Sequence, residues 1–208
     1  MPRRSFEISS NHVYWVVVAA LTLSTWFFAT NVQRQRSQLR SDHSVQIDSG
    51  TVVEVVRVID ADEVSVRPEG GGTFVVRLLG VKGFSTTVNE PGLSGLGQNA
   101  VTNLERFVAD KEVRVVFDEL DADRSGRVLA YLEAEGQDVG EAMVQAGQLV
   151  TYTRFGFSRE QQYLAAEAEA RTKRTGVWGN YKALSRVQGW QDSWTVAREA
   201  EAAQEDGG

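Results

Sequence analysis

Apolar and β-branched residues crowd the stretch from Val52 to Val81 and are interrupted at two places. Val52, Val53, Val55, Val56, Val58 and Ile59 run up to Asp60-Ala61-Asp62, and Val64-Ser65-Val66 then alternates apolar and polar. Arg67-Pro68-Glu69-Gly70-Gly71-Gly72 carries turn residues, and Phe74 to Val81 is apolar again apart from Arg77. β-branched runs with turn punctuation predict three strands of an antiparallel meander. Lys82 to Gly97 is rich in Gly, Thr, Ser, Asn and Pro and reads as a long loop. Val101, Leu104, Phe107 and Val108 then recur at helical spacing, predicting a helix over Gln98 to Ala109. Lys111 to Phe117 alternates through Val113, Val115 and Phe117 as a fourth strand, and Arg127 to Ala134 is a fifth. A second helix is expected from Asp138 to Ala146, with Asp138 as N-cap and Glu141 three residues on. A third is expected from Ser158 to Arg174, capped by Ser158 with Glu160 in its first turn. The fold class is mostly β with α: five strands and about three helices suit a small OB-type barrel.

The pattern changes at both ends. His12 to Val32 is apolar, and Val13 to Ala29 carries no formal charge, close to the roughly 20 residues that span a bilayer. Tyr14, Trp15 and Trp26 sit near its ends, where amphipathic aromatics favour the interface. It reads as a single transmembrane helix anchoring the chain in a membrane, the alternative being a cleaved signal peptide. Arg3 and Arg4 on one side nearly balance Arg34, Arg36 and Arg40 on the other. The short head before a long apolar run reads as an uncleaved export signal, with the domain outside the cytoplasm. The organisation is thus a head over 1–11, an anchor over 12–32, a polar linker over 33–47, the domain over 48–181 and an acidic tail over 182–208. In the tail, Trp190 and Trp194 are four apart and share a helix face, so a short docking helix competes with a solvated tail. Ala197 to Gly208 is expected to fray.

Composition narrows the chemistry. The 208 residues include no cysteine and two histidines, His12 and His43, both before the domain. Thiol chemistry, a histidine base and a zinc site within the domain are therefore excluded. The net charge is −6, and the domain alone holds 14 basic and 21 acidic side chains between Gln46 and Tyr181, a balance of −7. Such a surface disfavours non-specific attraction of phosphate backbones but permits a local basic groove.

The charges inside the strands point to a site. Asp62 and Arg77 lie within strand runs, where a carboxylate and a guanidinium can face each other across the ladder. A second charged cluster, Asp118-Glu119-Leu120-Asp121-Ala122-Asp123-Arg124-Ser125-Gly126-Arg127, precedes the fifth strand. The order VIDADEV, FVVRLLGV, DADRSGRVLAYL, followed by GEAMVQAG and GVW, resembles the thermonuclease family of staphylococcal nuclease-like domains over about Asp48 to Tyr181. The resemblance implies an OB-type barrel with three helices and a calcium-dependent phosphodiesterase site. Asp62 then matches a calcium ligand with Asp60 as its outer neighbour, and Arg77 and Arg127 match the two arginines that stabilise the phosphoryl transition state.

The departures from that pattern are chemical. Lys82 stands where the second calcium acid belongs, Gly83 where a backbone ligand is usual, and Ser85 where a glutamate acts on water. Ala61 and Glu63 replace the usual Gly and Thr. An ammonium at Lys82 is expected to repel a divalent cation and to pair with Asp62 instead. Glu63, on the opposite strand face by alternation, and Glu90, in the loop, are the two acids that could replace the missing ones. Three readings follow. The first is an impaired nuclease-like module that binds an anionic ligand, a nucleic acid or a protein through Lys82, Arg77 and Arg127. The second is an active calcium-dependent nuclease with relocated acids. The third is a structural domain with Arg77–Asp62 and Lys82–Asp60 ion pairs. No cofactor is expected unless the calcium site is rescued.

Overall fold

In the computed structural model, residues 47–205 are described, except 88–89, 91, 120 and 124–126. The expected anchor and nearly all of the linker lie outside the described residues. Among the described residues no helix is long and apolar enough to cross a membrane.

The β-branched runs form the expected meander. β1 (Thr51–Asp60), β2 (Glu63–Pro68) and β3 (Phe74–Leu78) pair antiparallel in sequence order. β4 (Val81–Lys82) leaves the barrel after β3. β5 (Val113–Val116) pairs antiparallel with β1, and β6 (Val128–Ala134) with β5. β6 then closes the ring by running parallel to β3, with Val76 opposite Val128 and Leu78 opposite Ala130. Closure of five strands removes the free edges that an open sheet would expose. Register slips in β1, between Val55 and Arg57 and between Val58 and Asp60, give the bend that a small barrel requires. Val53, Val64, Val66, Val76, Leu78, Val113, Val115 and Leu132 fill the interior. Each such side chain contributes about 1.5–3 kcal/mol on burial.

The short strand β7 (Gln137–Asp138) folds back on β6, and β8 (Val150–Thr151) pairs with β4. α1 (Ser94–Val108) packs Ala100, Leu104 and Val108 on the barrel. It starts four residues before the predicted Gln98, because the glycines read as loop are tolerated within its first turn. Gly97 has a packing role there: a Cβ on it would lie 2.5 Å from the Phe84 carbonyl oxygen. α2 (Val139–Gln145) is capped as expected, with Asp138 Oδ1 accepting from the Glu141 N–H at 3.0 Å.

The cap expected at Ser158 does not form. α3 (Glu160–Lys173) begins two residues later, and the N–H and Oγ of Ser158 both donate to Asp118 Oδ2, at 2.8 and 2.9 Å. Tyr131 Oη donates to the same carboxylate, so Asp118 ties the barrel to the start of α3. Burial works against the charge of Asp118, but the hydrogen bonds from Tyr131, Ser158 and the Glu119 N–H outweigh it and hold the carboxyl at about 2.

Beyond a 3-10 turn (Gly176–Gly179), the tail is a 25-residue helix, α4 (Tyr181–Glu205). It is neither a solvated tail nor frayed from Ala197. Ala183, Val187 and Trp194 pack with Phe84, Leu93, Val150 and Trp178 in a second apolar cluster. The tryptophan pair is the reason. Trp190 and Trp194 stack with centroids 6.2 Å apart, Trp190 lies 4.8 Å from the Phe84 ring, and Trp194 meets Tyr152 edge-on at 4.7 Å. Ring pairs of this kind are worth about 0.5–1.5 kcal/mol each beyond the area they bury.

Asp118→Asn is expected to destabilise the fold by about 1–3 kcal/mol at neutral pH, since it weakens several charge-assisted hydrogen bonds at once. The folded carboxyl titrates below the ordinary 3.8. Its stabilisation is therefore present above about pH 4 and is lost as pH falls towards 2. In urea unfolding, the gap between parent and variant should narrow over that interval. A gap that stays constant with pH would assign the cost to shape rather than charge.

Candidate functional site

The turn between β1 and β2 places two acids beside one arginine. Asp62 is 5% exposed, and its Oδ2 accepts from Arg77 Nη2 at 2.9 Å and from the Gly83 N–H at 3.3 Å. Glu63, the first residue of β2, lies opposite Arg77 in the ladder and accepts from Arg77 Nη1 at 2.9 Å. The expected separation of Asp62 and Glu63 onto opposite faces does not hold. Asp62 belongs to the turn, where strand alternation does not apply, so both acids meet the same guanidinium. Glu63 also accepts from Arg127 Nη1. Arg127 is held further by Asp123, through its Nε at 2.6 Å and its N–H at 3.0 Å. Two arginines and three carboxylates thus form one continuous network: Asp62–Arg77–Glu63–Arg127–Asp123.

Burial dominates the state of Asp62. It pushes the carboxyl above the ordinary range, against the pull of Arg77, Lys82 and the Gly83 N–H, and the neighbouring Glu63 adds to the rise. For Arg127, burial disfavours the charge, but Asp123, Glu63 and Asp62 more than restore it. Gly83 is required by space as well as by its N–H, because a Cβ there would stand 2.5 Å from the Ala61 Cβ.

The other sequence-predicted residues are distributed differently. Asp60 does not join the network; its Oδ1 accepts from the Ala61 N–H at 2.9 Å. Lys82, on β4 opposite Val150, does not pair with Asp62 or Asp60; no hydrogen bond or ion pair joins them among the described residues. The Arg77 guanidinium already occupies Asp62, and Lys82 Nζ lies 5.9 Å from the Trp190 ring centroid. Ser85 Oγ is 2.9 Å from Thr87 Oγ1 and accepts from the Thr87 N–H. Glu90 is held away by an ion pair with Arg186 of α4. Among the described residues, no three Asp, Glu, His or Cys side chains gather as metal ligands would.

In front of the network lies a cleft of about 490 Å³. Arg77, Lys82, Arg127 and Arg154 are its basic lining residues, and Asp123 is the one acidic lining residue among the described residues. Tyr152, Phe155, Phe157 and Trp194 supply an aromatic side. Asp62 and Glu63 stand behind the arginines and do not line it. Arg154, Tyr152 and the α4 residue Trp194 were not legible as site residues. The only signal was the spacing of Trp190 and Trp194, which marked a helix face without saying what it covers.

The sequence matches a known family. The model of the Staphylococcal nuclease homologue family fits residues 75–180, from β3 to the turn before α4. The chain belongs to the staphylococcal nuclease family. It is 25% identical over 166 residues to a thermonuclease from Staphylococcus hyicus, covering 79% of this chain and 95% of that protein. It is 29% identical over 163 residues to Protein ParB of Escherichia coli, covering 74% and 83%. It is also 29% identical over 159 residues to a micrococcal nuclease from Shigella flexneri, covering 72% and 82%.

Glu63 holds both arginines, so Glu63→Gln should cost about 1–3 kcal/mol in chemical unfolding, the range for losing a hydrogen-bonded charge partner of a half-buried cation. Arg67→Gln, which loses only its solvent-exposed partner Glu54, should cost well under about 1 kcal/mol. Equal costs for the two variants would show that the network carries no special stability.

Proposed function

We propose that this domain is a catalytically impaired nuclease fold that binds a phosphate-bearing anionic ligand in its cleft, on a chain anchored to a membrane by residues 12–32. The carrying observation is the network Asp62–Arg77–Glu63–Arg127–Asp123, with Lys82 where the family pattern has an acid. The relatives are named thermonuclease and micrococcal nuclease, so hydrolysis of a phosphodiester is the activity from which this site departs.

The chemistry of the donors supports impairment. Calcium takes six to eight oxygens from flexible ligands. Here Asp62 has one oxygen engaged by Arg77 and Gly83, Asp60 faces its own backbone, and Lys82 brings a positive charge. Bound calcium would supply charge for polarising a phosphoryl oxygen and activating water; these residues are poorly suited to hold it. A base must also lie within hydrogen-bond reach of the water it activates, and Ser85 offers no carboxylate. Four cations and an aromatic wall remain, which suit binding of phosphate beside a flat ring. A protein partner through the tail is left out of this reading, because Trp190 and Trp194 pack on the domain itself. The domain is placed outside the cytoplasm, following the short head before the apolar run.

The second reading, an active calcium-dependent nuclease with relocated acids, has one observation in its favour: Glu63 sits between Arg77 and Arg127. Glu90 offers less, since Arg186 holds it.

The parent protein should show no shift in melting temperature at millimolar calcium. Lys82→Asp should introduce a calcium-dependent rise of about 1.4 kcal/mol in stability at tenfold excess over the dissociation constant. Lys82→Asp with Ser85→Glu should add weak hydrolysis of DNA or RNA that disappears when Arg77 or Arg127 is replaced. Strong calcium-dependent hydrolysis by the parent would falsify the impaired reading and, through Glu63→Ala, identify the missing acid. The full chain should also sediment with membranes and resist extraction by high salt and alkali; a soluble mature protein beginning near Thr30 would instead mark a cleaved signal.

A further inference from the structure

The cations of the cleft fall into two pairs of different availability. Arg77 gives Nη1 to Glu63 and Nη2 to Asp62, while Arg127 gives Nη1 to Glu63 and Nε to Asp123. A ligand that used these donors would have to displace carboxylates, one of them deeply buried. Displacing a buried partner leaves an uncompensated charge, at higher cost than any exposed contact returns. Lys82 and Arg154 are not committed in this way. Lys82 makes no hydrogen bond or ion pair among the described residues, and its ammonium has only the Trp190 ring at 5.9 Å and the field of Asp62. Among the described residues Arg154 has an ion pair only with Glu201 of α4, at a long 3.5 Å, and its Nε is buried with no hydrogen-bond acceptor. Its guanidinium lies 5.1 Å from the Phe155 ring.

From this we infer that Lys82 and Arg154 are the anion-binding pair of the cleft, taking a phosphate monoester whose attached ring lies along Tyr152 and Phe155, and that Glu201 competes with that phosphate for Arg154. The inference rests on the reading of the cleft as a site for a phosphate-bearing ligand and adds which cations bind it. It places the anion away from the arginine pair that the family pattern would suggest. It also gives α4 a part in binding. Arg198 of α4 donates to the Thr153 carbonyl at 3.1 Å and to Glu160 at 2.9 Å, fixing the backbone next to Arg154 while Glu201, three residues on, reaches the guanidinium itself. A carboxylate on the same helix thus occupies a phosphate donor until ligand arrives. The phosphate could be free or terminal on a polynucleotide; both present the same charged oxygens, and the arms of the test separate them.

The test is calorimetric titration of the full-length chain with three probes: a 5′-phosphorylated single-stranded oligonucleotide, the same oligonucleotide without its phosphate, and inorganic phosphate. The phosphorylated strand is expected to bind at least about tenfold more tightly than its unphosphorylated form, the scale of one charge-assisted pair. Lys82→Met and Arg154→Gln should each remove that preference, Arg67→Gln, at an exposed ion pair outside the cleft, should retain it, and Glu201→Gln should tighten phosphate binding about threefold or more. Inorganic phosphate binding as well as the phosphorylated strand, with the same dependence on Lys82 and Arg154, supports the pair as a site for the free ion. Glu201→Gln keeps the inference testable if either cation variant fails to fold. A phosphate preference kept in both Lys82→Met and Arg154→Gln would overturn the inference and leave the cleft reading intact. Binding of none of the probes by the parent would overturn both.

Discussion

The Arg77 guanidinium, held between Asp62 and Glu63, is the contact on which the rest of the site depends. A buried carboxylate is tolerated only with a partner and satisfied hydrogen bonds. Asp62 has both, in Arg77 and the Gly83 N–H. That requirement fixes the turn after β1 against β3 and draws the chain after β4 close enough for Gly83 to reach in. Glu63 extends the arrangement to Arg127 at the start of β6, the strand that closes the barrel against β3. Barrel closure and the charge network therefore reinforce each other: the parallel pairing of β3 and β6 sets the two arginines side by side, and the carboxylates keep them from repelling.

The same network underlies the proposed loss of catalysis. In a site built for phosphoryl transfer, arginine donors must already point at the oxygens where charge develops, and such preorganised donors supply most of the gain. Here their donors are already directed at carboxylates within the protein, and burial favours the neutral form of Asp62. Stability and any phosphoryl transfer would draw on the same guanidinium groups. Lys82 fits this balance, since three acids near two arginines leave negative charge that a nearby ammonium helps offset.

α4 changes the character of the cleft. It lies beyond the stretch that matches the family, yet its tryptophans complete an apolar cluster with Phe84, Val150 and Trp178. Through Trp194 it forms part of the cleft wall, and through Arg186 and Arg198 it holds the segments on either side. The cleft is thus shaped jointly by the barrel and by a helix appended to it.

Much of this was legible in the sequence. β-branched runs and turn residues specify the meander, because strand periodicity and turn chemistry are local. The cap at Asp138 is local for the same reason. The spacing of Trp190 and Trp194 offered an aromatic helix face as one of two readings of the tail. Other features are non-local and only the tertiary structure decided them. Asp62 and Glu63 share one partner because a turn, not a strand, holds Asp62. Ser158 gives up its cap because Asp118, 40 residues earlier, is folded against it. Arg154 and Glu201 meet because a helix far along the chain docks beside β8, a contact that burial of two tryptophans drives and that no short-range pattern encodes.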